Sequence, residues 1–393
     1  MGTGRFFFND KFYAMKNRIL LLFLLSASSC IDRINIIVPD SNASQIVVDG
    51  LITDEPGPYT VKLSLSSKVD GFLQFRELTS AKRVTIFDNA GNSEDLTLVE
   101  AGTYQTEPNG IRGVVGREYS LSVETLDGKV YESIPDKMSP SGSVDSLYYE
   151  LESFQPLDAP TQHGFRVYVD AQGVADGDNF FRWKYTGTYM INTYPELHKK
   201  TVAFPFGEID GCNPDPRPCS GFILNGIGVL VTVATCECCV CWVDQLEDHP
   251  YVSDDVFISN GKFRNIEIAY IPIEYWPFQI KYRMEVKQMS LSRTAFDYWR
   301  TIQSQKEGAT SLFQPPTGKT RTNVFERNGR GVAQGIFYAS AIKKKQVYLF
   351  NENVKGLFLK QPRWDLCPEL WQIKESCLLA FKHSSNKPPA DWK

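Results

Sequence analysis

The chain has 393 residues, of which 42% are hydrophobic, 13% aromatic and 22% charged. That is the composition of a globular protein, and it excludes a disordered one. The formal net charge of −4 is small for this length. No long Lys/Arg cluster with interleaved aromatic residues occurs, so we expect no nucleic acid partner. The one basic run, Lys343–Lys345, is interpreted as a solvated turn before a strand at 346–350.

The N-terminal segment has the pattern of a secretory signal. A short basic stretch, Met15–Arg18, precedes the apolar run Ile19–Leu25 and the small residues Ser26–Ser29. The apolar run is far shorter than the roughly 20 residues that a membrane-spanning helix needs. We therefore expect residues 1–29 to be a signal peptide, with Met15 as an alternative initiator.

A cysteine directly after the small residues predicts a lipid anchor. Ala27–Cys30 resembles a relaxed lipobox, although the usual Leu at its first position is absent. Several acyl chains on Cys30 would hold the protein durably at a membrane. The alternative is an ordinary signal peptide with a chance cysteine. Residues 30–44 mix Asp, Asn, Ser and Pro without periodicity, which is typical of a tether.

Eight further cysteines favour disulfides, because an even number in an exported chain predicts cross-links. Metal binding is the competing interpretation, but the spacing differs from the paired Cys-x2-Cys of common zinc sites. The cluster suggests a disulfide-stapled insertion at about 205–245, with the pairing left open. The candidates are Cys212, Cys219, Cys236, Cys238, Cys239, Cys241, Cys367 and Cys377.

Alternating apolar and polar residues predict a mainly β protein. The pattern over residues 45–137 favours an immunoglobulin-like antiparallel sandwich, and a Pro/Ser/Gly-rich stretch at 135–143 resembles a domain junction. Residues 138–393 continue the alternation as a larger β-rich domain. Apolar residues at helical spacing predict one helix at about 291–307, docked on a sheet rather than open as a ligand platform.

One acidic stretch, Asp176–Asn179, has two interpretations. It lacks the spaced ligands and closing Glu of a hand-type calcium loop, so a tight turn is favoured.

Several segments carry a resemblance to a known family. Ile46–Tyr59, Gly116–Leu121 and Ser290–Pro316, with the close from Cys377 to Trp392, resemble domain-of-unknown-function family 4249. The resemblance implies a surface or outer-membrane lipoprotein of Bacteroidota-type bacteria, often encoded beside TonB-dependent transporters of the SusC class. It implies no catalytic residues. Thr322–Val324 departs from the family's usual Gly-Asn pair, and the Cys236–Cys241 cluster is denser than expected.

The search for chemistry finds no catalytic motif, and we expect neither an enzyme, a cofactor nor a metal site. Four histidines lack ligand spacing, and carboxylate pairs such as Asp254–Asp255 occur by chance in a chain with 46 acidic residues. Aromatic residues offer broad contact area for a glycan or peptide ligand or a protein partner. The candidates are Tyr270, Tyr275, Trp276 and Phe278, with a buried core as the alternative.

These patterns lead to three functional hypotheses. The first is a lipid-anchored outer-membrane protein, exposed at the cell surface, that acts as an accessory or substrate-binding partner of a TonB-dependent barrel. The second is a structural or assembly subunit without its own ligand. The third is a surface hydrolase.

Overall fold

The computed structural model of the protein describes residues 45–66, 80–157, 160–175, 179–204, 207–256, 258–308, 320–329, 331, 333–357 and 372–392. The predicted signal peptide, Cys30 and the tether lie outside the described residues. None of the helices within the described ranges is long and apolar enough to cross a membrane.

The N-terminal part is a sandwich of two sheets. Its strands in chain order are β1 (Ile46–Thr53), β2 (Thr60–Leu65), β3 (Ala81–Asp88), β4 (Ser93–Asp95), β5 (Thr97–Glu100), β6 (Thr103–Gln105), β7 (Glu118–Thr125), β8 (Val130–Ser133) and β9 (Asp136–Lys137). The alternation predicted over residues 45–137 is confirmed in β7, where the side chains of Tyr119, Leu121 and Val123 are buried. They pack with Val48, Val61 and Ile86 between the two sheets.

The second part is also mainly β. The strands that follow in chain order are β10 (Ser143–Phe154), β11 (Gln162–Gln172), β12 (Phe181–Asn192), β13 (Lys199–Phe204), β14 (Gly207–Pro214), β15 (Phe222–Leu224), β16 (Leu230–Thr232), β17 (Val240–Leu246), β18 (Tyr251–Ser253), β19 (Lys262–Pro272), β20 (Lys281–Ser290), β21 (Val324–Glu326), β22 (Gln334–Ser340), β23 (Ile342–Phe350) and β24 (Ser384–Ser385). Of these, β21 and β22 belong to the sandwich and the others to the second part. The helices are α1 (Arg293–Gly308) and α2 (Cys377–Ala380), with short 3₁₀ turns at Pro195–Leu197, Pro218–Ser220, Ser259–Gly261 and Asn351–Val354.

Two sheets of this part enclose the larger core. A three-stranded sheet β10-β11-β19 faces the central sheet, in which β23-β20-β12-β17-β24 lie side by side and β18 also pairs with β12. Alternating apolar residues of three strands fill the space between the two sheets. They are Phe165, Val167 and Val169 of β11, Phe181, Trp183 and Tyr185 of β12, and Tyr282, Met284 and Val286 of β20.

Strands from late in the chain complete the sandwich. β22 pairs with β1 in parallel, from Val47 opposite Gln334 to Thr53 opposite Ser340, and β21 pairs with β8. Phe337 and Ala339 of β22 join the sandwich core. The sequence pattern placed the sandwich within residues 45–137 and did not include these strands, because strand alternation reports which face is buried and not which strand is the neighbour.

The helix α1 packs where the two parts meet. Ala295 and Phe296 are buried against Ile336 and Tyr338 of β22, as well as Phe180. The side chain of Ser292 caps the helix by accepting a hydrogen bond from the backbone N–H of Ala295, at 3.2 Å. The prediction of a helix docked on a sheet is therefore confirmed.

A buried carboxylate joins these elements. Asp136 of β9 is 4% exposed. It accepts hydrogen bonds from the Ser292 hydroxyl at the start of α1 and from the backbone N–H of Ala339 in β22. Burial raises the pKa of Asp136, although these two hydrogen bonds oppose the shift. One side chain thus links the sandwich, the helix and the late strand.

The parallel pairing of β22 with β1 requires a glycine at position 335. Its φ is +84°, and a Cβ there would lie 1.9 Å from the carbonyl oxygen of Val48 in the neighbouring strand. Gly91 has a φ of +88° but no heavy atom within 4 Å of the corresponding Cβ position. The two residues share the left-handed backbone conformation and differ in the space around them.

We expect Gly335→Ala to lower the free energy of unfolding by about 3 kcal/mol or more. The substitution strains the backbone of residue 335, and it also forces strand β1 to move away from the new Cβ. Gly91→Ala, the matched control, should cost only roughly 1–2 kcal/mol from backbone strain. Urea unfolding of both variants and the parent measures the difference. Equal losses of unfolding free energy in the two variants would show that the close approach of β22 to β1 adds nothing to the cost of the Gly335 substitution.

Candidate functional site

The central sheet has one face against the core and one face turned away from it. We call the second the outer face. Side chains directly opposite each other on β12, β20 and β23 form rows across it, because the strands are in antiparallel register. The rows are Lys184, Lys287 and Lys344; Thr186, Glu285 and Gln346; Thr188, Arg283 and Tyr348; and Lys281 with Phe350.

The first row is a ladder of three lysines, which we call the basic row. Glu55, from a loop of the sandwich, binds two of them, with its carboxylate 3.1 Å from the Lys287 ammonium and also paired with Lys344. Burial would raise the pKa of Glu55, but Lys344 and Lys287 outweigh it and lower the pKa. Lys184 reaches solvent, yet its pKa is lowered, first by burial and then by the charge of Arg182. The row holds more positive charge than Glu55 neutralises.

Arg283 lies in the middle of the outer face and is 6% exposed. Its guanidinium contacts the carboxylates of Glu285 at 2.7 Å and Asp391 at 2.6 Å, and Nε donates to the side chain of Gln346 at 3.1 Å. Burial would lower the pKa of Arg283, but Asp391 and Glu285 outweigh it and raise the pKa. This network holds the C-terminal segment, which carries Asp391, against the sheet.

The far end of the outer face is aromatic. Trp392 lies with its ring centre 6.3 Å from that of Trp242 and 6.5 Å from that of Tyr348, and Tyr348 stacks with Phe350 at 6.2 Å. The ammonium of Lys281 is 4.6 Å from the centre of the Trp392 ring. Phe350 is 49% exposed. We call Trp242, Tyr348, Phe350 and Trp392 the aromatic platform.

Helix α1 covers the other end of the face, next to the basic row. There the buried Arg182 pairs with Glu247, and its guanidinium lies 3.7 Å from the centre of the Trp299 ring. The hydroxyl of Tyr338 in β22 is 3.3 Å from the same guanidinium. Because these groups are packed and paired, they close this end of the face and leave the basic row as its first exposed part.

Disulfides join six of the eight cysteine candidates. The pairs are Cys219–Cys238, Cys236–Cys239 and Cys241–Cys377. The side chain of Cys212 and all of Cys367 lie outside the described residues. These bridges support the disulfide interpretation of the cluster over the metal one. In the described part of the chain, no group of three or more His, Cys, Asp or Glu residues is arranged around a cation position.

The bridge between Cys241 and Cys377 matters for the outer face. Cys241 lies in β17 and Cys377 begins α2, directly before the C-terminal segment that carries Asp391 and Trp392. A short strand, β24, then pairs with β17 at Trp242 and Val243. The cross-link therefore holds part of the aromatic platform in place.

The four aromatic residues proposed from the sequence as contact residues differ in their burial. Phe278 is 2% exposed and packs in the core. The centre of its ring lies 5.6 Å from that of Phe165 and 5.2 Å from that of Tyr282. Trp276 is half-buried against the same core, and Tyr275 contacts it edge to face. Tyr270 is half-buried in β19. Contact with a partner stays a prediction for these three, while Phe278 belongs to the core.

The other candidate groups serve local structure. Asp255 accepts two hydrogen bonds from Asn179, and Asp254 pairs with Arg300 at 3.2 Å.

Two histidines lie beside carboxylates. His198 is 3.5 Å from Glu375, and His249 is 2.7 Å from Asp248. Of the acidic stretch at 176–179, only Asn179 is described, so the choice between turn and calcium loop is outside the described residues.

The basic row was missed from the sequence. The interpretation of Lys343–Lys345 as a turn is wrong, because all three lie inside β23 and pair with residues of β20. The available signal was the period of two in β20, where Lys281, Arg283, Glu285 and Lys287 alternate with apolar residues. Sequence alone could not place Lys184 and Lys344 beside them.

The comparison with protein families gives one match, to the model described as Domain of unknown function (DUF4249), over residues 31–346. The chain belongs to this family. No curated protein matches it. The basic row lies within the segment that matches DUF4249, whereas Tyr348, Phe350 and Trp392 lie beyond it.

The disulfides differ in what they should contribute to stability. The bridge Cys241–Cys377 spans 136 residues and Cys236–Cys239 spans 3. From loop-closure entropy, we expect the double variant Cys241→Ser/Cys377→Ser to lose about 5 kcal/mol of unfolding free energy, and Cys236→Ser/Cys239→Ser about 2 kcal/mol. Urea unfolding without reductant measures both. A larger loss from the short bridge would contradict this ranking.

Proposed function

We propose that this DUF4249 protein is an exported lipoprotein, anchored at the outer-membrane surface through Cys30. In this proposal it works as the accessory substrate-binding partner of a TonB-dependent transporter. Its ligand is an acidic glycan, bound on the outer face of the central sheet. The observation that carries the ligand proposal is the combination on one face of the basic row and the aromatic platform.

Two kinds of contact suit a charged sugar chain. Aromatic rings offer flat apolar surface for the C–H faces of sugar rings, and half-exposed Tyr and Trp retain polar groups at their edges. Lysine ammonium groups bind carboxylate or sulfate groups through charge-assisted hydrogen bonds. From Lys287 to Lys281 the strand runs about 20 Å, at about 3.3 Å per residue. That length suits an oligosaccharide better than a single sugar.

Export and anchoring have separate support. Three disulfides in the described residues suit an oxidising compartment, and the N-terminal pattern ending at Cys30 suits lipid attachment. The association with a transporter follows from the family resemblance. A peptide ligand, and a structural subunit with no ligand, are the alternatives that the experiments below separate. A surface hydrolase has less support, since the paired carboxylates Asp254 and Asp255 are engaged by Arg300 and Asn179.

The glycan proposal predicts opposite effects at two contacting residues. Lys344→Gln should weaken binding of acidic oligosaccharides about tenfold, as expected for loss of one charge-assisted hydrogen bond. Glu55→Gln should strengthen it, because Glu55 competes for the same lysines. Titration calorimetry measures both, and added salt should weaken the binding.

The control for this experiment is Lys343→Gln. Lys343 is the preceding residue of β23 and is also exposed, but its side chain points away from the outer face. The Lys343→Gln substitution should leave the affinity for acidic oligosaccharides unchanged. Equal binding of neutral and acidic oligosaccharides, or equal losses from Lys343→Gln and Lys344→Gln, would refute the role of the basic row.

The transporter partnership predicts a stable complex in the native membrane. A tagged copy, extracted in mild detergent, should bring down a TonB-dependent barrel in near-stoichiometric amount, identified by mass spectrometry. A copy with Cys30→Ala should lose the barrel, because it is no longer held at the membrane. If other outer-membrane complexes survive the extraction and no barrel is recovered, the partnership is wrong.

A further inference from the structure

We call residues 218–241, together with the C-terminal residues from Cys377 onward that a disulfide joins to them, the disulfide-rich lobe. This lobe carries a hairpin whose apolar side chains are exposed. Strands β15 and β16 pair with Phe222 opposite Thr232, Ile223 opposite Val231 and Leu224 opposite Leu230. From Pro218 to Cys236 the sequence contains no charged residue and no histidine. We call residues 222–233 the apolar hairpin.

Apolar residues are exposed on both faces of the apolar hairpin and at its tip. Ile223, Val229, Val231 and Val233 are 50%, 52%, 40% and 59% exposed on one face. Leu224 is 37% exposed on the other face, and Ile227 at the tip is 84% exposed. A flat protein surface would cover one face of such a ribbon and leave the other in water. A fluid hydrocarbon phase surrounds both faces and the tip.

Most backbone N–H groups of the tip are paired within the turn. The side-chain oxygen of Asn225 accepts hydrogen bonds from the N–H groups of Ile227 at 3.1 Å and Val229 at 2.9 Å. The backbone N–H groups of Asn225 and Gly228 bond to the carbonyls of Val229 and Asn225, each at 3.0 Å. Polar backbone groups must be paired internally before they enter hydrocarbon. The turn meets this requirement at most of its N–H groups.

The base of the apolar hairpin is rigid, and its exposed charged side chain, Glu237, is acidic. The bridge Cys219–Cys238 closes it, and the carbonyl of Gly221 accepts hydrogen bonds from Val233 and Ala234. Arg217, the charge nearest to the hairpin on its N-terminal side, is paired with Glu375. With Arg217 paired and Glu237 exposed, the base offers no attraction to anionic groups. Because the hairpin is preorganised, little conformational entropy is lost on insertion.

We infer that the apolar hairpin inserts its tip into a lipid bilayer, with its base at the headgroup level. This inference rests on the proposed function in one respect, that a lipid on Cys30 keeps a bilayer nearby. Interfacial segments bury their apolar face about 5–10 Å deep, which the residues from Leu224 to Val231 can reach. The second contact would set the orientation of the folded part on the membrane.

The experiment uses the full, processed chain reconstituted in vesicles of phosphatidylcholine. Ile227→Trp adds a reporter at the tip, and the parent spectrum, with seven native tryptophans, is subtracted. The added fluorescence should shift to the blue and be quenched by phosphatidylcholine brominated on its acyl chains. Leu126→Trp is the matched control. Leu126 is 74% exposed in a turn of the sandwich, and its reporter should stay unquenched.

Three results would overturn the inference. The added tryptophan at 227 would be unquenched and red-shifted if the tip stays in water. A blue shift that depends on protein concentration, without quenching by brominated lipid, would make a second copy the occupant. A blue shift that appears only when a co-purified membrane protein is present, again without quenching by brominated lipid, would make that protein the occupant. Val229→Trp repeats the test at a second exposed position, in case one substitution perturbs the turn.

Failure of the anchor and failure of the insertion are distinguishable. Mass spectrometry of the N-terminal peptide reports directly whether Cys30 is acylated. If it is not, the same proteins are mixed with excess vesicles and the quenching of the tip reporter is measured as before. Anionic lipid should not strengthen insertion, and insertion that requires anionic lipid or is lost at high salt would contradict an apolar contact.

Discussion

The parallel pairing of β22 with β1 is the interaction on which the rest of the described structure depends. It brings Gln334–Ser340 beside Ile46–Thr53, so that the N-terminal sandwich contains strands from both ends of the family segment. Gly335 makes the close approach feasible, and the buried Asp136 ties β22 to β9 and to the start of α1. Without this pairing, Phe337 and Ala339 would leave the sandwich core and α1 would lose Ile336 and Tyr338.

The outer face follows from that arrangement. Because β23 continues directly from β22, the pairing positions β23 as the edge of the central sheet, next to β20. Its even-numbered residues then lie opposite odd-numbered residues of β20, which in turn lie opposite even-numbered residues of β12. Glu55, in a loop of the sandwich, reaches the basic row from the other side. The charge balance of the candidate site is therefore set by both parts of the molecule together.

The disulfide-rich lobe stabilises two surfaces of different chemistry. Cys241–Cys377 holds the C-terminal segment and its Trp392 at the aromatic platform, while Cys219–Cys238 closes the apolar hairpin. One surface suits a polar, charged ligand and the other an apolar phase. In the proposed function they act together, because a second membrane contact would orient the ligand-binding face relative to the transporter.

The sequence by itself determined the features that depend on neighbours along the chain. The period of two predicted the buried faces of β7, β11, β12 and β20, and the helical period of apolar residues predicted α1, because these patterns reflect local backbone geometry. The even cysteine count in a chain with an export pattern predicted disulfides, and residues 46–59 indicated the family that the comparison confirmed.

Only the tertiary structure decided which strands are neighbours. Lys184, Lys287 and Lys344 come from three distant segments, and their sequence positions contain no information about register across the sheet. The same reason separates Phe278, which packs in the core, from Phe350, which is exposed, although both are phenylalanines near other aromatic residues. Burial and cross-strand contact are properties of the assembled sheets, so the candidate site could be identified only from the tertiary structure.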